Sequence, residues 1–145
     1  TRVRPGTLDD PLGLPHVFQV LVEDIWASAW PGRCQFDIEG DQVAIAPAAQ
    51  HEVHRIAREV LGFVVHQPAA EAVHIYLKYP SAPGDPVQFT ISWIDRQTTE
   101  PSTTSKQYME QCVRVMGGHI AWHHEPTLGC SLRVTFPASL AFGLQ

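Results

Sequence analysis

Several classes of protein are excluded by what this sequence lacks. No run of about 18 apolar residues occurs, which is the length that a membrane-spanning helix needs. The first residues, TRVRPGTLDDP, lack the apolar stretch of a signal peptide. The formal net charge is −5, whereas nucleic-acid-binding domains carry a basic surface. The sequence therefore predicts no nucleic-acid partner and no membrane span in this chain.

Cysteine is also scarce, and its placement predicts free thiols. Cys34, Cys112 and Cys130 are odd in number and far apart in the sequence. A disulfide framework needs paired cysteines, so these three are expected to be ordinary thiols in a reducing, cytoplasmic compartment.

What the sequence does contain predicts one α/β domain over residues 1–145. Apolar residues make up 44% of the chain, enough for a single core. Helical spacing of apolar residues predicts helices, and alternation of apolar and polar residues predicts strands. The residues between the third predicted strand and the third helix are almost all polar. The predicted order is helix 15–30, strand 34–39, helix 47–66, strands 72–79 and 87–94, loop 97–105, helix 106–116, and strands 119–124 and 131–136.

This order predicts a two-layer α/β sandwich. Strands joined by short turns are antiparallel, and a helical crossover allows a parallel pair, so the sheet is expected to be mixed. Its three main helices are expected to cover one face, and the other face is left for water or a partner.

Four segments, in this order and spacing, resemble the ATP-binding domain of sensor histidine kinases of the nitrate-sensor-like branch. Family members have phrases like LRP..LDDLGL, YRIAQEALTNALKHA, VTVRLRY and MRERVAALGGRLEIRSAPGGGTRVTVRLP. The corresponding segments here are RPGTLDDPLGL at 4–14, HRIAREVLGFVVHQ at 54–67, VHIYLKY at 73–79, and MEQCVRVMGGHIAWHHEPTLGCSLRVTFP at 109–137. The resemblance implies a Bergerat-type ATPase fold and the C-terminal part of a longer sensor protein. It also implies a cytoplasmic location, which includes the case of a domain on the cytoplasmic side of a membrane-bound sensor.

The resemblance fails at the residue that holds the metal. In the family, the long helix carries a Glu that helps to activate the attacking His and, four residues later, an Asn that holds Mg²⁺. Here the Glu is Glu59, but the Asn position is Phe63. A phenyl ring offers no oxygen to a hard cation. Helical spacing places Arg55, Glu59, Phe63 and His66 on one side, with Phe63 at its border, as an apolar plug in a vacated site.

The nucleotide-binding glycines are missing as well. The family has a DxGxG sequence after a strand, whose Asp binds adenine. Strict spacing puts Trp93 at the Asp position, and a shift of two residues would put Asp95 there, without glycine in either case. Residues 98–108 contain no glycine for the lid turn that cradles phosphates. Near the last strand, Gly129 is the one glycine kept from the family's GGGT.

Metal and hydrolase sites are not supported by the remaining polar residues. On a strand, His119 and His123 would share one face while His124 points to the other, and zinc needs three or four converging ligands. The serines lie in no nucleophile motif. No metal site is expected, and His54 is not expected to be a phosphoacceptor.

These observations predict a histidine-kinase-like domain of two-component signal transduction that does not bind ATP. It would act as a regulatory or interaction (pseudokinase) module on protein partners: the dimerisation helices of a parent kinase, a response regulator or another kinase. No cofactor is expected. The remnant nucleotide cleft is predicted to contain Glu59, Phe63, His66, Trp93 and Asp95, with Glu59 as the vestigial base.

Two alternatives remain open at this stage. One is a working catalytic domain that binds ATP and Mg²⁺ in an altered site, with Asp95 on adenine and Glu59 as base. The other is a cleft that holds a different small ligand, lined by Phe63, Trp93 and the loop 97–105.

Overall fold

The computed structural model describes residues 13–82, 84–95, 100–125 and 129–137. In chain order, the helices and strands within these ranges are α1 (Leu14–Ala27), β1 (Arg33–Glu39), α2 (Pro47–Val65), β2 (Ala70–Lys78), β3 (Pro86–Asp95), α3 (Thr103–Val115), β4 (His119–Glu125) and β5 (Gly129–Pro137).

The strands form one mixed sheet in the order β1-β2-β3-β5-β4. β1 and β2 are parallel, because α2 carries the chain back across the sheet between them. All other neighbouring strands are antiparallel. Burial alternates along β2 and β3, so that one face of the sheet is covered by helices. The predicted two-layer α/β sandwich with a mixed sheet is therefore confirmed.

The structure corrects the predicted loop 97–105. α3 already begins at Thr103, because the Ser102 side chain accepts a hydrogen bond from the Ser105 backbone N–H at 3.1 Å and caps the helix. Three other boundaries move by two residues or more: α1 ends at Ala27 rather than at residue 30, β2 begins at Ala70 rather than at residue 72, and β5 begins at Gly129 rather than at residue 131. Several predicted features lie outside the described residues, namely most of the segment 4–14, loop residues 96–99, the turn at 126–128 and the residues 138–145.

The core lies between the helices and the covered face of the sheet. Phe18 of α1 is fully buried, and its ring centroid lies 5.5 Å from that of Phe36 on β1 and 5.4 Å from that of Phe89 on β3. These three aromatic residues are called the α1 cluster below. α2 contributes the apolar side predicted from its periodicity, which consists of Ile56, Ala57, Val60, Leu61 and Val64.

The opposite side of α2 carries a glycine that the fold does not require. Gly62 is exposed, and a Cβ added there would meet no atom within 4 Å. Glycine inside a helix costs about 1 kcal/mol relative to alanine. No packing within the described chain offsets this cost at Gly62.

Gly129, in contrast, is required by the packing of two strands. Its φ is +150°, and an added Cβ would lie 1.9 Å from the backbone oxygen of Trp93. Any side chain would therefore separate β5 from β3. The glycine that the sequence keeps near its last strand has a structural role here.

The helices do not have the character of membrane spans. In the described ranges, none of them is both long enough and apolar enough to cross a bilayer.

Candidate functional site

The candidate site lies where α2 faces the end of β3 and the start of α3. Glu59 is partly buried on α2, and its carboxylate accepts a hydrogen bond from the Ser105 hydroxyl at 2.7 Å. Ser105 is in the first turn of α3. The carboxylate at the family's base position is therefore bound to the neighbouring helix.

This contact belongs to a polar seam between the two helices. Glu52 and Glu59 on α2 lie opposite Cys112 and Ser105 on α3, at positions seven residues apart on both helices. Residues at this spacing share one helix face. Burial, followed by the nearby Glu52 carboxylate, raises the pKa of the Cys112 thiol. The seam joins α2 to α3 along about two turns of each helix.

Phe63 and Trp93 fill the space beside this seam. Phe63 is partly buried on α2, and Trp93 on β3 is only 2% exposed. Their ring centroids are 6.1 Å apart with an interplanar angle of 68°, an edge-to-face contact. The pair joins α2 to the sheet through two apolar rings. The resemblance would put a metal-binding amide at the position of Phe63.

Trp93 lies in the middle of a cross-strand row. Its direct neighbours are Val73 on β2 and Cys130 on β5. Its indole Nε1 is buried and makes no hydrogen bond in the part of the chain that the structure describes. Burying such a donor without a partner costs free energy.

Asp95 ends β3 on the same face as Trp93, since alternate strand residues share a face. It is fully buried and close to Cys130. Burial raises the pKa of the Cys130 thiol to about 11, and the carboxylates of Glu100 and Asp95 act in the same direction. A thiol in this environment stays protonated and is a poor nucleophile.

The connection between β3 and α3 is short. Only residues 96–102 separate Asp95 from Thr103, and Pro101 among them is buried. Residues 98–102 within this connection contain no glycine for a turn that cradles phosphates.

A single lysine near the site is already engaged. Lys106 Nζ lies 2.5 Å from Glu100 Oε1 and 5.0 Å from the ring centroid of Trp122. The hydrogen bond from Lys106 holds the pKa of Glu100 below its usual value. The ammonium group of Lys106 therefore has both an ion pair and a cation–π contact.

His66 does not join the other predicted site residues. It is exposed at the end of α2, where its Nδ1 donates a hydrogen bond to the Gly62 carbonyl at 2.7 Å. The structure thus brings together Phe63 and Trp93 by direct contact, with Glu59 one helical turn and Asp95 two strand residues away. It leaves His66 on the solvent side.

Sequence reasoning missed the residues of α3 that complete this site. Ser105 and Lys106 were assigned to a loop and a helix start, although Pro101-Ser102 followed by further hydroxyl residues is a helix N-terminal signal. The pairing of Lys106 with Glu100 and Trp122 could not be predicted, because Trp122 lies on a strand that follows α3.

Polar groups also meet on the opposite face of the sheet. The His74 Nε2 lies 2.8 Å from Asp37 Oδ2, and Gln35 donates to the same oxygen at 2.6 Å. Partial burial opposes ionisation, but the hydrogen bonds from His74 and Gln35 hold the pKa of Asp37 below its ordinary value. Tyr76 donates to Glu39 in the next row.

A concavity at one end of the sheet differs from the predicted cleft, with which it shares Trp93. Its described lining includes Trp26 of α1, Cys34, His74 and Trp93, but no residue of α2. The ligand cleft expected from the sequence would have been lined by Phe63. Elsewhere, no three His, Cys, Asp or Glu side chains among the described residues are placed to hold a metal ion.

The fold is shared with histidine kinase domains. The histidine kinase domain of the blue-light-activated histidine kinase EL346 from Erythrobacter litoralis aligns over 90% of this chain and 68% of its own, with a TM-score of 0.64 and 14% identity. A longer structure of the same kinase aligns over 94% and 45% of the two chains, with a TM-score of 0.65 and 14% identity. The mycobacterial sensor histidine kinase MprB aligns over 86% and 94%, with a TM-score of 0.63 and 15% identity.

Comparisons at the level of sequence add nothing to this likeness. No family model matches the chain, and no curated protein matches it. At 14–15% identity the neighbours define the architecture alone: this chain has the fold of a histidine kinase domain.

Proposed function

We propose that this chain is a histidine-kinase-like ATPase domain of two-component signalling that does not bind ATP and acts through protein contacts. The observation that carries the proposal is the contact between Phe63 and Trp93. By the resemblance to sensor kinases, these positions belong to the Mg²⁺-binding Asn and, at strict spacing, the adenine-binding Asp. Two aromatic rings in contact leave neither an oxygen ligand nor room between them.

Three further features support the loss of nucleotide binding. The Glu59 carboxylate is hydrogen-bonded to Ser105. The connection between Asp95 and Thr103 contains no glycine for a phosphate-binding turn, and Lys106 is paired with Glu100. Phosphoryl transfer depends on positioning the phosphates and neutralising their charge, and these features leave fewer groups to do so.

The protein partners in this proposal are the dimerisation helices of a parent kinase, a response regulator or another kinase, in the cytoplasm. A domain that keeps the kinase fold without its ligand can still present the surfaces of that fold to such partners. Regulation by docking needs no chemistry in the cleft.

Thermal unfolding with nucleotide tests the proposal. The domain is heated alone, with ATP and Mg²⁺, and with ATP and a chelator, beside an ATP-binding histidine kinase domain as positive control. A ligand at about 100 times its dissociation constant stabilises a protein by about 2.7 kcal/mol. We expect no Mg²⁺-dependent rise in Tm for this chain, and a clear rise would overturn the proposal.

One observation favours the alternative of a working catalytic domain. Asp95 is fully buried at the end of β3, where it could bond to an adenine amino group after a shift of the strand end. Under this alternative Asp95→Asn would abolish the Mg²⁺-dependent rise in Tm, and Trp93→Phe would leave it intact. If the wild-type chain shows no such rise, the alternative is wrong.

A further inference from the structure

The two outer strands of the sheet differ in how their polar side chains are used. These strands are β1 and β4, and each is seven residues long. On β1, the Asp37 carboxylate accepts hydrogen bonds from Gln35 and His74, and the Glu39 carboxylate accepts one from Tyr76. The carboxylates of β1 are therefore already bound within the chain.

β4 lacks the features that usually protect an outer strand from pairing with another chain. It contains neither lysine nor proline, and its register with β5 is regular from His119 to Glu125, without a bulge. In the ranges that the structure describes, β5 is the only strand paired with it. The backbone N–H and C=O groups on its other side have no strand partner there, and such groups form a template for a further strand.

Two exposed side chains at the ends of β4 have unused hydrogen-bonding capacity. No hydrogen bond or ion pair joins His119 to another described residue. Glu125 Oε1 lies 3.4 Å from His123 Nε2, whereas Glu125 Oε2 has no such contact within the same part of the chain. An imidazole N–H can donate to a carboxylate whether the ring is neutral or charged. One face of the strand therefore has a donor at one end and an acceptor at the other.

Antiparallel pairing of β4 with β4 of a second copy would bring these ends together. In the register centred on Trp122, His119 of each copy lies opposite Glu125 of the other, so the same pair forms twice. Ala121 lies opposite His123, and its small side chain leaves room for the imidazole. Moving the register by two residues loses the match, because one shift puts His119 opposite His123 and the other puts Glu125 opposite Ala121.

The other side of this strand pair would be aromatic at its centre. Ile120 and Trp122 are partly buried against the core on that side of β4. In the register centred on Trp122, this residue lies opposite its own copy, and aromatic cross-strand pairs stabilise sheets. One strand thus supplies both halves of a polar and an aromatic match, which favours a second copy of this chain over an unrelated strand.

We propose that β4 is a self-association surface, at which two copies of this chain pair as antiparallel strands around a two-fold axis at Trp122. The two sheets join into one continuous sheet, with the helices of both copies on the same side. A single strand pair buries less surface than a standard stable interface, so the dissociation constant is expected to be on the order of 0.1 mM. The contact does not depend on whether the chain binds ATP.

Sedimentation equilibrium and amide NMR of the purified chain test the proposal, at concentrations from about 10 µM to about 1 mM. We expect the average mass to rise toward that of a dimer and no further, with concentration-dependent amide shifts centred on residues 119–125. A monomer throughout this range would overturn the proposal. Assemblies larger than a dimer, or shifts centred on β1, would also overturn it, because they would show a different contact.

An exchange of charges across the axis tests the register. His119→Glu and Glu125→Lys should each weaken association about tenfold, because each removes the match at both ends. The double variant puts a carboxylate opposite an ammonium group and should restore association. Glu23→Lys, the same change of charge on the exposed side of α1, is the control and should keep it. All these positions are exposed, and an unchanged Tm checks the fold. Lack of recovery in the double variant would contradict the proposed pairing.

Failure here is distinguishable from failure of the proposed function. If the chain stays monomeric and ATP does not raise Tm, the self-association surface is wrong and the loss of nucleotide binding stands. If ATP raises Tm and the chain dimerises through β4, the reverse holds.

Discussion

Two groups of aromatic side chains join the helices of this protein to its sheet, and the surroundings of the two groups differ. The α1 cluster joins Phe18 to Phe36 and Phe89 with centroid distances of 5.5 and 5.4 Å. The pair Phe63–Trp93 joins α2 to β3 with a distance of 6.1 Å. The physical contact is of the same kind in both places, but the first lies in the core and the second in the expected nucleotide cleft.

The difference teaches that the same aromatic packing can lie in very different surroundings. Around the α1 cluster, all three residues fall on the apolar positions of their elements. Around the second pair, Phe63 is only partly buried, and the neighbouring Glu59, Ser105 and Asp95 remain polar. This second region thus has a polar rim around an apolar centre.

The largest expected effect lies in the α1 cluster. Phe18→Ala removes a fully buried ring and should lower the free energy of unfolding by about 4 kcal/mol, because the lost burial and the remaining cavity add together. Urea denaturation measures the change. Val20→Ala on the same helix, at 37% exposure, is the matched control and should cost well under half as much. Equal losses in the two variants would contradict the assignment of Phe18 to the core.

A smaller effect is expected in the cleft. Phe63→Asn removes the edge-to-face contact and part of a buried ring, so it should cost about 2 kcal/mol and alter the fluorescence of Trp93. Val115→Asn, at 70% exposure on α3, controls for the lower helix propensity of asparagine.

The same variant also sharpens the comparison with an active cleft. We expect Phe63→Asn not to gain Mg²⁺-dependent binding of ATP, because the connection between β3 and α3 still lacks glycine and Lys106 remains paired with Glu100. Calorimetry with ATP and Mg²⁺ checks this. Recovery of binding from the single change would show that the connection was never the obstacle.

Much of the architecture could be predicted from the sequence, because it depends on local periodicity. The buried side of β2 follows from the alternation of apolar and polar residues in 73–79, and that of α2 from the helical spacing of Ile56, Val60 and Val64. Both patterns identify the buried side even when the ends of the element are predicted wrongly. The predicted free cysteines are confirmed, since Cys34, Cys112 and Cys130 are all free thiols. Trp122 and Ile120 share one face of β4, and both are partly buried against the core.

The site was less predictable, because its contacts join residues that are distant in sequence. Periodicity placed Phe63 at the border of its helix face, but the edge-to-face packing on Trp93 depends on how α2 lies over the sheet. His66 has the correct spacing to join Glu59, yet at the end of the helix its ring bonds to the Gly62 carbonyl instead. Hydroxyl residues after Pro101 favour either a loop or a helix start, and only the cap bond from Ser105 N–H to Ser102 decides.

The smallest effect concerns the polar rim of the cleft, where Ser105 donates to Glu59 at 2.7 Å. Ser105→Ala should cost about 1 kcal/mol, since the carboxylate is only partly buried and water can replace the hydroxyl. The exposed neighbour Thr104→Ala should cost less, and a double-mutant cycle with Glu59→Gln should recover most of the Ser105 effect as coupling energy. Additive losses in that cycle would mean that Glu59 is free to act on something else. The rim would then resemble a working site, and the contrast with the α1 cluster would rest on Phe63 and Trp93 alone.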